Sequence, residues 1–289
     1  MSLVPVFATA FGIQAVGFSI AAALQTEKFY DLAGSSTYVA CVGVSLLYGR
    51  THLLKSSASW LSFVTNHLHP RQILIAGTTL LWCTRLGSYL AYRIHKDGRD
   101  TRFEKIKTNP VRFGVAWFLQ GLWVSLTAYP AFKLLVTPAS ALAPWGILDS
   151  IGLLLWSVGF AFEVVADWQK LSWQNRIGKE ARKTSFIDEG LWSLSRHPNY
   201  FGETTLWIGN ALTCASAFTG SGPTGTAVAL SFVLSPLFVG GLLQNVSGVN
   251  LLEKSSDKRF GHLEAYQKYK RNTPVFFPRL PNFGKPKSD

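Results

Sequence analysis

The stretch Leu3–Leu24, LVPVFATAFGIQAVGFSIAAAL, holds no charged side chain. Wound as a helix it reaches about 33 Å, enough to cross a bilayer core roughly 30 Å thick. No basic segment precedes it, so a cleaved leader is not expected and the stretch reads as a retained membrane helix. Six further apolar runs follow, at 37–49, 72–92, 113–136, 145–167, 201–219 and 226–249. The expected fold is therefore all-α: one polytopic membrane domain over residues 1–289, a bundle of about seven transmembrane helices. It falls to six if the short run 37–49 stays out of the bilayer.

Composition agrees. Of 289 residues, 48% are apolar and 15% charged, with a mean hydropathy of +0.18. A soluble chain carries about 25% charged residues, and a disordered one lacks this hydrophobicity. No heptad run is sustained, which excludes a coiled coil.

The net charge is +12. Segments 93–112, 168–200 and 254–289 hold 22 of the 28 Lys and Arg residues. Each lies between or after apolar runs, as the positive-inside rule predicts for cytoplasmic loops, so nucleic acid is not an expected partner. Seven spans put the tail 254–289 in the cytoplasm, and runs 113–167 and 201–249 become hairpins that begin and end there. Segment 50–71, with Arg50, Lys55 and Arg71, then reads as a mildly basic lumenal loop, or in part as an interfacial helix around Trp60. Lys285 and Lys287 resemble a dilysine retrieval signal, which points to the endoplasmic reticulum; the plainer reading is a solvated basic tail.

Some patterns carry no chemistry. Cys41, Cys83 and Cys214 lie inside apolar runs without disulfide or metal-ligand spacing and read as small buried hydrophobes. Gly220-Ser-Gly222-Pro-Thr-Gly225 matches GxGxxG, but no strand precedes it and no acid follows about 20 residues on, so it reads as a hairpin turn. His67 and His69 have no third ligand nearby, and no metal site is expected.

The informative stretch is Ser195-Arg196-His197-Pro198-Asn199-Tyr200-Phe201-Gly202-Glu203. Pro198 suits a helix's first turn, and two cations before a helix N-terminus add to its positive dipole end. Asn199 offers a donor and an acceptor, and Glu203 lies one turn on, on the same face. An acid at that depth costs a few kcal/mol on insertion scales unless partnered. Two more regions share this character. Arg85, Tyr89, Tyr92 and Arg93 form one helical stripe ahead of Asp100 and Arg102, while Glu163 and Asp167 lie one turn apart with Lys170 beyond. Each set could be structural ion pairs. Together they suit a polyanionic cofactor, since phosphate wants Arg forks and ribose hydroxyls want carboxylates.

The run Glu189–Glu203 resembles the C-terminal signature of the steroid 5-alpha-reductase superfamily, and the whole chain resembles its DUF1295 branch. Supporting segments are Glu27–Gly34, Thr84–Arg93, Asp100–Phe103, Asp167–Lys170 and Leu252–Pro278. The resemblance implies an all-helical membrane oxidoreductase that takes NADPH from the cytoplasmic side and reduces an activated C=C bond of a lipid-like or sterol-like substrate. It places Asn199 and Glu203 at the nicotinamide and ribose end and Asp167 at another cofactor position. Arg85, Arg93, Asp100, Arg102, Lys170, Arg196, His197, Tyr200 and Glu253 complete the expected cofactor set. Steroid reductases have a tyrosine three residues before the position of Arg85; here it is Trp82, so Tyr89 or Asp31 is the expected catalytic substitute. The element Arg-His-Pro-x-Tyr-x-Gly is also shared with S-adenosylmethionine-dependent methyltransferases of the isoprenylcysteine carboxyl type. Those usually carry two adjacent acids where this chain has Glu253-Lys254. A non-catalytic lipid-binding relative is the third reading, and no obligate protein partner is expected.

Overall fold

Proline and cap residues set several helix starts in the computed structural model, which describes residues 2–98, 100, 102–246 and 248–279. Helix α1 (Val4–Leu24) has Pro5 in its first turn and ends at Gln25 in the left-handed region. After it come α2 (Tyr30–Leu47), α3 (Thr51–Ser56) and α4 (Trp60–His67). Next, α5 (Pro70–Asp97) opens on a capping box between His69 and Gln72 and stops at Gly98, which takes φ +80°. Asn109 caps α6 (Pro110–Thr127) by accepting from the Arg112 amide at 3.1 Å. Then follow α7 (Tyr129–Val136), α8 (Ile147–Ala181), α9 (Leu191–Leu194), α10 (Pro198–Ser216), α11 (Gly222–Ser231) and α12 (Leu234–Gly241). A π-helical turn, Leu242–Val246, leads into α13 (Val249–Phe260) and α14 (Glu264–Asn272). Among the described residues all regular structure is helical.

Among the described residues four stretches are long and apolar enough to cross a membrane: Val4–Leu24, Pro70–Lys96, Ile147–Ala181 and Gly222–Phe260. The run expected at 113–136 is two helices, because Pro130 lacks an N–H and its ring disturbs the preceding turn. The expected turn at 220–225 begins with Gly220 and Gly222 at positive φ, and α11 starts within it. The dilysine positions 285 and 287 lie outside the described residues.

The chain forms two compact units. The first comprises residues 1–150 and 210–235. There α2 packs on α1 and α5, and α1 on α6. Tyr38 sits edge-on to both Trp82 and Trp123, each centroid 5.2 Å away. This unit corrects one expectation: Arg50 and Arg71 are buried, not solvated loop charges. Arg50 donates to the carbonyls of Leu135 (2.8 Å), in the last turn of α7, and Thr137 (2.6 Å), just past it, and Gln72 Nε2 reaches Thr137 O as well, at 2.8 Å. Arg71 grips Asp149 through two hydrogen bonds, 2.6 and 2.7 Å, both side chains at 0% exposure. Its remaining N–H groups reach the Ala143 and Pro144 carbonyls, while Ser216 Oγ and the Gly146 amide donate to Asp149. Every charge is thus matched by hydrogen bonds, the condition for a tolerable buried ion pair. Lys55 and Trp60 are exposed, with Trp60 at the start of α4.

The second unit comprises residues 151–209 and 236–289. Its frame is the antiparallel pair α8 and α10, whose backbones touch. A Cβ on Gly159 would lie 2.5 Å from Leu206 N and 2.6 Å from Gly202 O; one on Gly202 would lie 2.6 Å from both Glu163 N and Gly159 O. Gly209 meets Gly152 and Trp156 in the same way. Small residues two turns apart on each helix give the close approach that apolar surroundings favour, where dispersion contacts between backbones drive association.

Candidate functional site

The second unit carries a polar cluster built on the turn before α10. Gly190 takes φ +60° against Gln169, whose Oε1 accepts from the Leu191 amide at 2.9 Å. Trp192 Nε1 donates to Ala166 O at 3.0 Å, tying α9 to α8. Ser195 Oγ donates to Phe276 O at 2.8 Å, and the Arg196 amide donates to Pro274 O at 2.9 Å. The segment after α14 is therefore stitched along the Arg-His-Pro turn and fixes its backbone.

On that turn, Arg196 and His197 both hold Glu253, each at 2.9 Å, through Nη2 to Oε2 and Nε2 to Oε1 respectively. The imidazole of His197 stacks on Tyr200 with centroids 5.7 Å apart. The Tyr200 ring lies against Gly248, where a Cβ would come within 3.0 Å of it. One turn deeper, Asn199 Nδ2 donates to Asp167 Oδ1 at 3.1 Å, joining α10 to α8. Glu203 follows on the same face and is buried, as are Glu163 and Asp167. Lys170 lies over the Trp192 ring, 4.6 Å from its centroid. Thus Asp167, Asn199 and Glu203 share the α8–α10 contact, and Arg196, His197, Tyr200 and Glu253 share the turn above it.

Residues absent from the expected set complete the cluster. Lys270 Nζ lies 2.5 Å from Asp257 and 3.6 Å from Glu253, and Tyr266 donates to Asp257 at 3.1 Å. The spacings Glu253/Asp257 and Tyr266/Lys270 are both i, i+4, a pattern visible in the sequence, though nothing local says that the two pairs face each other.

The first unit holds the other candidates. Arg102 Nη2 contacts both Asp100 and Asp31, with 3.1 Å to each Asp31 oxygen, and Arg93 approaches Asp31 at 3.8 Å. Arg85 lies 5.6 Å from the centroid of the Tyr89 ring. Glu27 accepts from Lys107 at 2.9 Å and from the Asp100 amide at 3.3 Å. Burial opposes ionisation of Glu27, but Lys107 and the Asp100 amide outweigh it and hold the carboxyl below its ordinary range. Burial is likewise outweighed at Asp100, by the Arg102 guanidinium. A carboxylate depressed on folding contributes stability above its unfolded pKa of about 4 and loses it as pH falls through the lowered folded value. The thermal midpoint of the purified protein is therefore expected to fall below about pH 4. Glu27→Gln should be less stable than the wild type at pH 7 and the difference should close in acid; a constant difference across pH would contradict the clamp.

Among the described residues no group of three or more His, Cys, Asp or Glu side chains is placed to hold a metal ion. Comparison with known proteins yields no match among curated proteins and none among solved structures. A family model described as protein of unknown function (DUF1295) matches residues 17–273, nearly the whole chain and all the clusters described above. The chain belongs to the DUF1295 family.

Proposed function

We propose that this protein is an NADPH-dependent membrane oxidoreductase of the steroid 5-alpha-reductase type, reducing an activated C=C bond of a lipid-like or sterol-like substrate. The observation that carries the reading is the layered polar cluster at the start of α10: buried carboxylates of Asp167 and Glu203 around Asn199, beneath Arg196 and His197. Those groups fit a dinucleotide. Carboxylates accept from ribose hydroxyls, and guanidinium meets phosphate. Asn199 gives one of its two N–H groups to Asp167, and its carbonyl oxygen can accept from a carboxamide. The Arg196 Nε is buried and lacks a hydrogen-bond partner among the described residues, a donor that a ligand can satisfy.

NADPH, when bound, supplies the hydride. The chain's own part is to orient it, exclude water and polarise the carbonyl conjugated to the double bond. Of the two groups expected for that last task, Asp31 accepts from Arg102 and Arg93. In the membrane, the reading takes seven crossings, with the basic tail in the cytoplasm and the endoplasmic reticulum as the compartment.

The test is ligand-dependent thermal stabilisation of the detergent-purified protein with NADPH, NADH and S-adenosylmethionine. A ligand at 100 times its dissociation constant adds about 2.7 kcal/mol to the folded state. Stabilisation by NADPH is expected; stabilisation by S-adenosylmethionine alone would replace the reductase with a methyltransferase, and none by any ligand would favour a non-catalytic lipid binder. Glu203→Ala is expected to weaken NADPH at least about tenfold, the loss of one charge-assisted hydrogen bond. Unchanged affinity in that variant would remove Glu203 from the cofactor set.

A further inference from the structure

Glu253 is gripped as a phosphate would be. Its two oxygens face three cationic or potentially cationic donors: Arg196 Nη2 at 2.9 Å, His197 Nε2 at 2.9 Å and Lys270 Nζ at 3.6 Å. The donors come from two separate segments, the turn before α10 and the helix α14. The Arg196 side chain is only 10% exposed. Its Nη1 donates to Lys270 O at 3.0 Å, while its Nε is buried and makes no hydrogen bond among the described residues. As placed, the Glu253 carboxylate leaves Arg196 Nε without a bond and meets Lys270 only at 3.6 Å. A phosphate group, with three acceptor oxygens and up to two charges, can satisfy the whole set.

We propose that Arg196, His197 and Lys270 form a phosphate subsite and that Glu253 is a resident carboxylate which a phosphate-bearing ligand displaces. The inference rests on the dinucleotide reading above and deepens it, naming where a phosphate of that ligand sits. It also reverses the role expected for Glu253, from a cofactor ligand to a competitor. Glu253 is suited to leave: it stands on α13 between exposed Leu252 and Lys254, its own side chain is 18% exposed, and three rotatable bonds carry the carboxylate. The other acid of the cluster, Asp257, stays with Lys270 and Tyr266 and keeps Lys270 oriented when Glu253 swings out.

The sign of one substitution decides the matter. Pyrophosphate binding to the full chain in detergent is measured by calorimetry for the wild type, Glu253→Gln and the double variant Glu253→Gln/Lys270→Met. Removing the competing charge is expected to tighten pyrophosphate at least tenfold, and adding Lys270→Met should cancel most of that gain. Weaker or unchanged binding in Glu253→Gln would overturn the proposal. A measurement on the unmodified protein stands beside it in case the variants fail to fold. Acetylation of Lys270, read by mass spectrometry against exposed Lys268, should slow severalfold with saturating pyrophosphate, and an unchanged ratio would equally overturn it. Repeating the calorimetry with NADPH and with a short-chain phosphatidic acid separates a nucleotide phosphate from a lipid headgroup. If pyrophosphate tightens in Glu253→Gln while NADPH does not bind, the subsite stands and the reductase reading fails. If NADPH binds but Glu253→Gln weakens both ligands, the reductase reading stands and the subsite fails.

Discussion

Gly202→Val is expected to yield no folded protein, and Gly202→Ala a protein destabilised by on the order of 3 kcal/mol or more. Overpacking a well-filled interior costs about 1–3 kcal/mol when side chains can give way. Here they cannot, because the atoms a new Cβ would meet, Glu163 N and Gly159 O, belong to the backbone of α8. Relief requires the two helices to separate, which would also pull Asn199 from Asp167. Total stabilities are only about 5–15 kcal/mol, so the larger residue exceeds what the fold can absorb. Size-exclusion profile and thermal midpoint in detergent are the readouts. Gly12→Ala is the control: nothing lies within 4 Å of its Cβ position, and alanine is the better helix former by about 1 kcal/mol. A Gly202→Ala protein as stable as that control would refute the close contact of α8 and α10.

Arg71→Met is expected to cost about 3–5 kcal/mol, because it leaves the Asp149 carboxylate buried without its cation. Asp149 would keep only the Ser216 hydroxyl and the Gly146 amide. Asp149→Leu should cost a similar amount, stranding the guanidinium instead. The double variant Arg71→Met/Asp149→Leu should recover part of the loss, since no lone charge then remains. Recovery stops short of the wild type, because Arg71 also serves the Ala143 and Pro144 carbonyls, which would lose their donors. Thermal midpoints of the four proteins give the coupling between the two side chains. Additive single effects would show that the pair is not coupled.

The helical class was legible from the length of uncharged runs such as Leu3–Leu24, since a chain in lipid has to satisfy its backbone within each segment. The face shared by Asn199 and Glu203 was legible as well, because a helix places residues four apart on one side whatever surrounds it. So was the crowding of polar residues over Arg196–Glu203 at the start of an apolar run. The division of 113–136 into two helices could have been read from Pro130 alone. The close contact of α8 and α10 had its signal too, in glycines seven apart at Gly152/Gly159 and Gly202/Gly209.

Tertiary structure alone assigned the partners. Arg71 finds Asp149 78 residues away, Asn199 finds Asp167 32 residues away, and His197 finds Glu253 56 residues away. Arg50 and Arg71, which counted in the sequence as charges of a loop, turned out to be buried donors for carbonyls at the end of α7 and for Asp149. The physical reason lies in the solvent. In water an apolar stripe marks the side of a helix that faces the core, but lipid tails are as apolar as the protein interior, so hydrophobic pattern stops telling helices which neighbour to meet. Pairing is then decided by a few glycines and buried polar groups, whose complementarity exists only once distant segments are brought side by side.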